Sequence, residues 1–260
     1  WGPDWLVLAT SYSGNTEETI DGVHEALQSG GTVIGISSGG ELEKLISESE
    51  GSLFLPVPGG QMPRSAFGHL FGRQLSVCWS LGIIEKPDDK ETSEMIERLR
   101  SSSTDFDISG GNGLVVSVAE SMLNRQIGII APTILISVAN RFANQLNENS
   151  EVFARPSELP EMNHNEIVAW SSANENEHSL IYFSCGNIHP RINSRMDWML
   201  ENIDNDSSWI IDCEGQSLLE SLLYASHISD WISICLALLR GVDPSEMSSI
   251  VNLKSHLSKV

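Results

Sequence analysis

Residues 5–19, WLVLATSYSGNTEET, decide how the first part of this chain folds. WLVLAT is a short apolar run, typical of a parallel strand that is covered on both faces. Beyond it, apolar residues recur at helical spacing, at Ile20, Val23, Ala26 and Leu27. Ser11, Ser13 and Thr16 therefore stand at a helix N-terminus, where unpaired N–H groups and the positive end of the helix dipole favour an anion. The stretch predicts a cradle for a phosphate group.

A simpler interpretation is that Ser13 or Thr16 only caps the helix, because hydroxyl residues are preferred at that position. Three hydroxyls around Gly14 provide more hydrogen-bonding capacity than one cap uses. Gly14 also allows the backbone to approach a ligand closely. The stretch has neither the lysine of a P-loop nor the glycine spacing of a dinucleotide loop, so a nucleotide is not the favoured ligand.

The rest of the chain alternates between strand and helix patterns, which predicts an α/β fold with parallel sheets between layers of helices. Strands are predicted near 5–10, 32–37, 52–57, 126–131, 179–185 and 208–213. Helices are predicted near 16–28, 41–48, 65–82, 115–124, 133–146, 189–203, 216–240 and 245–258. Residues 84–112 are charged and then rich in Ser and Gly, which indicates a linker with one exposed helix near 90–100. The predicted domains are therefore 1–83 and 113–260.

The chain is strongly acidic. Its 260 residues contain 15 Lys and Arg against 35 Asp and Glu, a formal net charge of −20, and the surplus is spread over both halves. Nucleic acids and anionic membranes are therefore excluded as expected partners, because binding them requires a basic surface. An anionic small molecule would be held by neutral donors, a helix end and a few well-placed cations.

The four cysteines indicate a reduced protein. They are widely spaced and lie mostly in apolar runs, at Cys78, Cys185, Cys213 and Cys235. Without a C-x-x-C pair, buried free thiols are expected rather than a zinc site or a disulfide framework. We found no signal peptide and no uninterrupted apolar run of about 18–20 residues. We therefore expect a cytoplasmic location and no membrane partner.

A second group of chemically active residues lies in QLNENSEVFARPSELPEMNHNEIVAW, residues 145–170. Glu148 falls where the preceding helix is predicted to end, so its carboxylate could project into a cleft. His164 lies in a predicted loop after two prolines, and histidine changes protonation near neutral pH. The alternatives are a solvated glutamate at a helix end and a loop histidine without a chemical role.

Several separated motifs, in order, resemble the bifunctional phosphoglucose/phosphomannose isomerase family. They are SYSGNTEET (11–19), which resembles the phosphate loop of sugar isomerase (SIS) domains, PRSA (63–66), QLNEN (145–149), PEMNHNE (160–166), LLRGVDP (238–244) and the NLK that follows. The resemblance implies two SIS domains. It also implies interconversion of glucose 6-phosphate or mannose 6-phosphate with fructose 6-phosphate. Members carry a Gly-rich segment upstream, so we expect this chain to lack the N-terminal part of the first domain.

The resemblance also implies roles for individual residues. Glu148 corresponds to the base that moves a proton between C1 and C2, and His164 to the ring-opening residue, which the partner subunit supplies. Arg64 corresponds to the arginine that faces the enediol, and Lys254 to the lysine near the ring oxygen. Without the resemblance, Arg64 and Lys254 would be interpreted as solvated surface cations.

This set of residues also makes chemical sense. Aldose–ketose isomerisation needs an opened ring, a base, and positive charge beside the cis-enediolate. No cofactor and no metal are expected, and a homodimer that shares His164 is expected. A SIS protein that binds a sugar phosphate without turnover is the alternative, although such a sensor has no need for a base and an acid.

Overall fold

The structure, a computed structural model, describes residues 1–172, 177–186, 188–203, 207–213, 215–257 and 259. The chain divides into two compact units, Trp1–Asp88 and Asp89–Val260. The predicted domain limits at 83 and 113 stay a prediction. Residues 89–105, within the predicted linker, form a helix of the second unit.

The first unit is a three-stranded parallel sheet in the order β1-β2-β3. Its strands are β1 (Leu6–Thr10), β2 (Thr32–Ser37) and β3 (Leu53–Pro56). Its helices are α1 (Glu17–Gln28), α2 (Gly40–Ser47) and α3 (Phe67–Ser80), and a 3-10 helix, Pro63–Ala66, precedes α3. Every predicted strand and helix of this unit is present.

One expectation for β1 is wrong. The sequence predicted cover on both faces, but Leu6 and Leu8 are 46% and 37% exposed. β1 is an edge strand of its sheet, paired only with β2. Its neighbour β2 lies between two strands and is buried from Val33 to Ser37. An apolar run therefore identified the strand but not how many of its faces are covered.

The second unit is a four-stranded parallel sheet in the order β5-β4-β6-β7. Its strands are β4 (Gln126–Pro132), β5 (Ala154–Leu159), β6 (His178–Ser184) and β7 (Ser208–Asp212). Its helices are α4 (Asp89–Asp105), α5 (Leu114–Ser121), α6 (Ile136–Ser150), α7 (Glu166–Ser172), α8 (Pro190–Ile203), α9 (Leu218–Arg240) and α10 (Ser248–Leu257). Two 3-10 helices, Thr133–Leu135 and Glu161–His164, complete it.

Helices cover both faces of the second sheet. One face packs in a large apolar cluster with α5, α6 and α9, centred on residues such as Phe142, Phe183 and Ile232. The other face packs with α7 and α8 around Tyr182 and Met199. This arrangement is the predicted parallel sheet between layers of helices.

Strand β5 and helix α7 were not predicted from the sequence. The segment was expected to be extended, which is correct, but ARPSEL (154–159) has too few apolar residues to be recognised as a strand. β5 is the edge strand beside β4, where polar residues and Pro156 are tolerated.

Helix α4 packs on α9, so it is not an isolated linker helix. The Arg98 guanidinium donates to both carboxylate oxygens of Glu220, at 2.6 and 2.9 Å. Phe106, just beyond α4, is buried. By length and composition α9 could cross a membrane, but core helices of globular proteins pass the same test, and 50% of its apolar window is buried inside the protein.

Candidate functional site

Ser11 and Thr16 face each other across the turn between β1 and α1. Their hydroxyl oxygens are 2.8 Å apart, and Ser11 is buried. Thr16 directly precedes α1, yet its side chain makes no capping hydrogen bond. The Ser13 hydroxyl accepts from the backbone N–H of Asn15 at 3.2 Å, within the turn. Neither Ser13 nor Thr16 therefore acts as the side-chain cap of α1, so the capping interpretation is wrong.

A second loop, residues 37–40, fixes the shape of this turn. Gly14 has a φ of +68°, and a Cβ there would lie 1.8 Å from the carbonyl oxygen of Gly39. A Cβ on Gly40 would lie 2.4 Å from the carbonyl oxygen of Ser13. The two loops are thus in backbone contact, which only glycine permits. We call the pair of loops, residues 11–16 and 37–40, the hydroxyl cradle.

Tyr12 connects the cradle to the segment that carries Arg64. Its hydroxyl accepts from the backbone N–H of Gln61 at 2.8 Å. Arg64 follows in the 3-10 helix Pro63–Ala66 and is half-buried. Gln74 of α3 donates to the Thr10 hydroxyl at 2.9 Å and holds α3 to the end of β1. The first unit therefore contains Ser11, Ser13, Thr16 and Arg64, and it ties the Arg64 segment to the cradle.

Glu148 lies within the last turn of α6, because the helix continues to Ser150 rather than ending near 146. Its side chain is half-buried. The residues that follow it are anchored to α9: Asn149 donates to the Ser233 hydroxyl at 2.9 Å, and Ser150 donates to the Ser233 carbonyl at 2.6 Å. These buried contacts hold the turn that carries the Glu148 carboxylate.

A charged cluster fixes α6 on α9 further along the helix. Asp230 of α9 accepts from the Arg141 guanidinium at 2.6 and 2.9 Å and from the Gln145 amide at 2.6 Å. Arg141 keeps only 17% of its side chain exposed. Charge-assisted bonds of this geometry are among the stronger polar contacts in proteins, so α6 is held against rotation about its axis.

His164 ends the 3-10 helix Glu161–His164 and is exposed, so it lies in a short helical turn rather than an open loop. The side chain of the residue before it, Asn163, contacts two methionine sulfurs. Its amide nitrogen lies 3.3 Å from the sulfur of Met162 and 3.2 Å from that of Met199, and both methionines are buried. The backbone that presents the imidazole is therefore anchored in the core.

Glu166 fixes the segment on the other side of His164. Its carboxylate accepts from the Arg155 guanidinium at 2.7 Å and from the Ser157 hydroxyl at 2.6 Å, both on β5. The hydrogen bond from Arg155 is the main cause of a pKa for Glu166 below the usual value of 4.5. β5 and the start of α7 thus hold residues 160–165, which we call the histidine segment, between them.

Glu148 and His164 lie at opposite ends of the second sheet. Because α6 runs back along the parallel strands, its last turn lies where β5 begins, whereas His164 follows the end of β5. The six residues of β5 span about 20 Å. No hydrogen bond or ion pair joins the two side chains, both of which the structure describes. Within one chain they do not form a common site.

Lys254 lies in the last turn of α10. It is exposed, and α10 has no buried residue among those that the structure describes. Among the described residues of the second unit, no hydrogen bond or ion pair positions its ammonium group against Glu148 or His164, so the role assigned to Lys254 stays a prediction.

The cysteines are free, as predicted. Cys185, Cys213 and Cys235 are buried and Cys78 is half-buried. Burial raises the pKa of the Cys213 thiol, which keeps it protonated. Across the part of the chain that the structure describes, no group of three or more His, Cys, Asp and Glu side chains could hold a metal ion.

Sequence reasoning missed the residues that support the site. The second cradle loop, SSGG at 37–40, carried a readable signal, since two hydroxyls and two glycines follow a buried strand directly. Asp230 and Ser233 carried none, because they contact α6 from more than 80 positions along the chain.

Known proteins with similar sequences and folds agree with this architecture. Residues 115–257 match the family of the bacterial phospho-glucose isomerase C-terminal SIS domain. The chain is 32% identical over 264 residues to a bifunctional phosphoglucose/phosphomannose isomerase of Aquifex aeolicus, covering 98% of this chain and 77% of that protein. It is 30% identical over 256 residues to the protein of that name from Thermoplasma acidophilum, covering 96% and 76%.

A solved structure shows the same fold at low sequence identity. The tagatose-6-phosphate ketose/aldose isomerase of Escherichia coli superposes with a TM-score of 0.69 and 15% identity, covering 94% of this chain and 71% of that one. The match over residues 115–257 and the identity to curated relatives identify the family of the chain, and the shared fold agrees with them. The chain belongs to the bifunctional phosphoglucose/phosphomannose isomerase family, and its second unit carries the family's C-terminal SIS domain.

Proposed function

We propose that this chain is an aldose–ketose isomerase that interconverts glucose 6-phosphate or mannose 6-phosphate with fructose 6-phosphate. The observation that carries the proposal is the hydroxyl cradle. Its two facing hydroxyls at the start of α1 are not used as helix caps. Two relatives that match nearly the whole of this chain are named bifunctional phosphoglucose/phosphomannose isomerase, after the same reaction.

The cradle suits the phosphate of the sugar. Ser11, Ser13 and Thr16 offer neutral donors, and the N-terminus of α1 adds backbone N–H groups and a positive dipole end. In a chain with a formal charge of −20, this arrangement holds a dianion without a cluster of basic residues. Arg64, on the segment tied to Tyr12, would stabilise the negative charge of the enediolate.

Glu148 is proposed as the base. In the direction from aldose to ketose, its carboxylate would take the proton from C2 of the open-chain sugar, giving a cis-enediolate, and return it to C1, while the hydroxyl proton moves from O2 to O1. The opposite direction reverses the two steps. Anchoring of Asn149 and Ser150 on Ser233 would keep the carboxylate in place, and such positioning raises the efficiency of proton transfer.

His164 is proposed to open the sugar ring in the site of a second copy of the chain. Its exposure and its place beyond the end of β5, a strand of about 20 Å at whose start Glu148 lies, support sharing across a two-fold interface. In a two-fold dimer each subunit would then donate its histidine to the other. Lys254 is proposed to lie near the ring oxygen.

The direct test is incubation with fructose 6-phosphate, followed by separate assays of glucose 6-phosphate and mannose 6-phosphate. We expect at least one aldose to accumulate until equilibrium, at a rate that EDTA does not change because no metal takes part. If the protein binds fructose 6-phosphate but forms neither aldose, it is a sensor rather than an enzyme. A loss of turnover in EDTA that added metal restores would contradict metal independence.

A further inference from the structure

A cavity of about 380 Å³ lies within the second unit, between the histidine segment and α8. Its walls are formed by Asn163, Ile167, Arg191, Ser194, Arg195 and Trp198. The volume falls in the range of about 300–1,000 Å³ that small-molecule sites occupy. It lies beyond the carboxyl ends of β5 and β6, the side of an open parallel sheet on which ligands bind.

Two arginines on one face of α8 line this cavity. Arg191 and Arg195 are four positions apart, so they are neighbours on the helix surface and repel each other. Four other arginines of the unit are paired with carboxylates: Arg98 with Glu220, Arg100 with Glu97, Arg141 with Asp230 and Arg155 with Glu166. Among the described residues no carboxylate lies within ion-pair distance of Arg191 or Arg195. In a chain with 35 acidic residues, two neighbouring arginines without a carboxylate partner among the described residues favour an anionic ligand.

The position of these arginines also disfavours a role in stability. Arg191 lies in the first turn of α8 and Arg195 in the second, near the positive end of the helix dipole, where a cation is unfavourable. Helices α1, α2, α4 and α9 follow the opposite rule and carry acidic residues in their first turns. An anion in the cavity would relieve both the dipole effect and the mutual repulsion.

The remaining walls suit a molecule larger than an ion. Ser194 and Asn163 provide polar groups, and Asn163 already accepts from the Arg195 guanidinium at 3.4 Å. The Trp198 ring, 47% exposed, and the Ile167 side chain provide apolar surface. A site with two cations at one end and an aromatic wall matches a small phosphorylated molecule better than a metal or an apolar ligand.

We propose that this cavity binds the phosphate dianion of a small phosphorylated molecule, at a site separate from the hydroxyl cradle. Arg191 and Arg195 hold the phosphate through charge-assisted hydrogen bonds, and Trp198 packs against the rest of the molecule. Because Arg195 contacts Asn163, phosphate binding in this cavity also affects the position of the backbone that carries His164.

The test is calorimetric titration of the full chain with inorganic phosphate and, separately, with fructose 6-phosphate. It is done in a Ser13→Ala/Thr16→Ala background, so that binding at the cradle is weakened. Adding Arg191→Gln/Arg195→Gln should weaken binding by about tenfold or more through loss of the charge-assisted bonds. The matched control, Arg100→Gln/Arg240→Gln, removes the same charge from exposed positions and should change affinity less than about twofold.

A second variant covers the possibility that the arginine pair is needed for folding. Ser194→Asp puts a carboxylate on an exposed position beside the two arginines without enlarging the core, and it should abolish phosphate binding while the melting temperature stays unchanged. Tighter binding of fructose 6-phosphate than of inorganic phosphate would identify a sugar phosphate as the source of the dianion, and the reverse order would identify the free ion. Equal loss in the control pair, or unchanged binding in Ser194→Asp, would overturn the proposal. Neither readout depends on turnover, so a failure here differs from a failure of the isomerase proposal.

Discussion

Hydroxyl groups, rather than cations, define the cradle at the start of α1. Ser11 is buried and its hydroxyl oxygen lies 2.8 Å from that of Thr16. One of the two hydroxyls therefore donates its proton to the other. A bound phosphate would offer acceptor oxygens to both hydroxyls. Glycines at 14 and 40 bring the backbone of the second loop close enough to fix this geometry. We therefore expect small side chains, rather than cations, to determine phosphate binding here.

Replacing Ser13 and Thr16 by alanine should affect substrate binding more than stability. We expect KM for fructose 6-phosphate to rise at least tenfold, because two phosphate donors are lost. The melting temperature should change little, since neither hydroxyl caps α1. A cap would instead cost about 1 kcal/mol of stability. Thr19→Ala, one turn further along α1, is the control and should change neither quantity.

Glu148→Gln should abolish isomerisation while leaving sugar-phosphate binding nearly intact. The substitution keeps the shape of the side chain but removes its ability to accept a proton, and loss of a general base typically costs about 10²- to 10⁴-fold in rate. Steady-state kinetics and calorimetry on the same preparation separate the two effects. Glu151→Gln, three residues further on, should keep wild-type turnover. Wild-type turnover in Glu148→Gln would contradict the assignment.

At the scale of elements, α9 is the support on which the candidate base depends. It crosses the second unit as a 23-residue helix and contacts α4 through Glu220 and α6 through Asp230 and Ser233. The polar contacts of Asp230 and Ser233 fix the rotation and height of α6. Apolar packing alone would leave both less well defined.

Asp230→Ala should therefore weaken the attachment of α6. The Arg141 guanidinium and the Gln145 amide would lose the Asp230 carboxylate as an acceptor, and hydrogen bonds to charged groups are worth about 1.5–3 kcal/mol. We expect a loss of about 2 kcal/mol in the free energy of unfolding, measured by urea denaturation, together with a lower kcat through movement of the α6 terminus. Asp21→Ala, an exposed change on α1, should stay within about 0.5 kcal/mol of wild type.

The clamp on the histidine segment should depend on pH. The Glu166 pKa lies below its usual value of 4.5, mainly because Arg155 donates to it. Its contribution to stability is therefore complete above the usual pKa and is lost as the pH falls through the lower pKa of the folded state. Melting temperatures of wild type and Glu166→Gln, measured from about pH 3 to pH 7, should differ most at the upper end and converge at the lower end. A constant difference would show that the Glu166 charge does not stabilise the clamp.

At the scale of the whole molecule, the separation of Glu148 and His164 is the most consequential feature. Both groups lie in the second unit, at opposite ends of its sheet. If Glu148 acts as the base and His164 opens the ring, as proposed, a second copy of the chain has to bring the two together. Two-fold symmetry would then complete two sites at once.

Mixing two inactive variants tests this requirement. Glu148→Gln subunits and His164→Ala subunits should each be inactive, whereas exchanged dimers contain one intact site. Equal mixing makes about half of the dimers mixed, so about one quarter of wild-type activity should return. Subunit exchange is confirmed independently by mass spectrometry of differently tagged subunits. Exchange without recovery would show that each site is built within one chain.

Local patterns determined most of the fold. Buried apolar runs, turn glycines and helical periodicity identified the strands β1 to β4, β6 and β7 and the main helices, because each signal is contained in a few consecutive residues. The cradle was readable for the same reason: Ser11, Ser13, Gly14 and Thr16 are contiguous with the strand and helix that place them. β5 was missed as a strand, since an edge position removes the need for apolar residues.

The sequence by itself therefore determined the parallel α/β architecture, the first loop of the hydroxyl cradle and, through separated motifs, the family. Only the tertiary structure decided which residues contact one another over long distances. It joined Asp230 to Arg141 across 89 positions and paired the glycine loops of the cradle. It also placed Arg191 and Arg195 beside Asn163 and put Glu148 and His164 at opposite ends of one sheet. The physical reason is that periodicity records which face of an element is buried, whereas contacts between elements depend on how the sheet orders its strands.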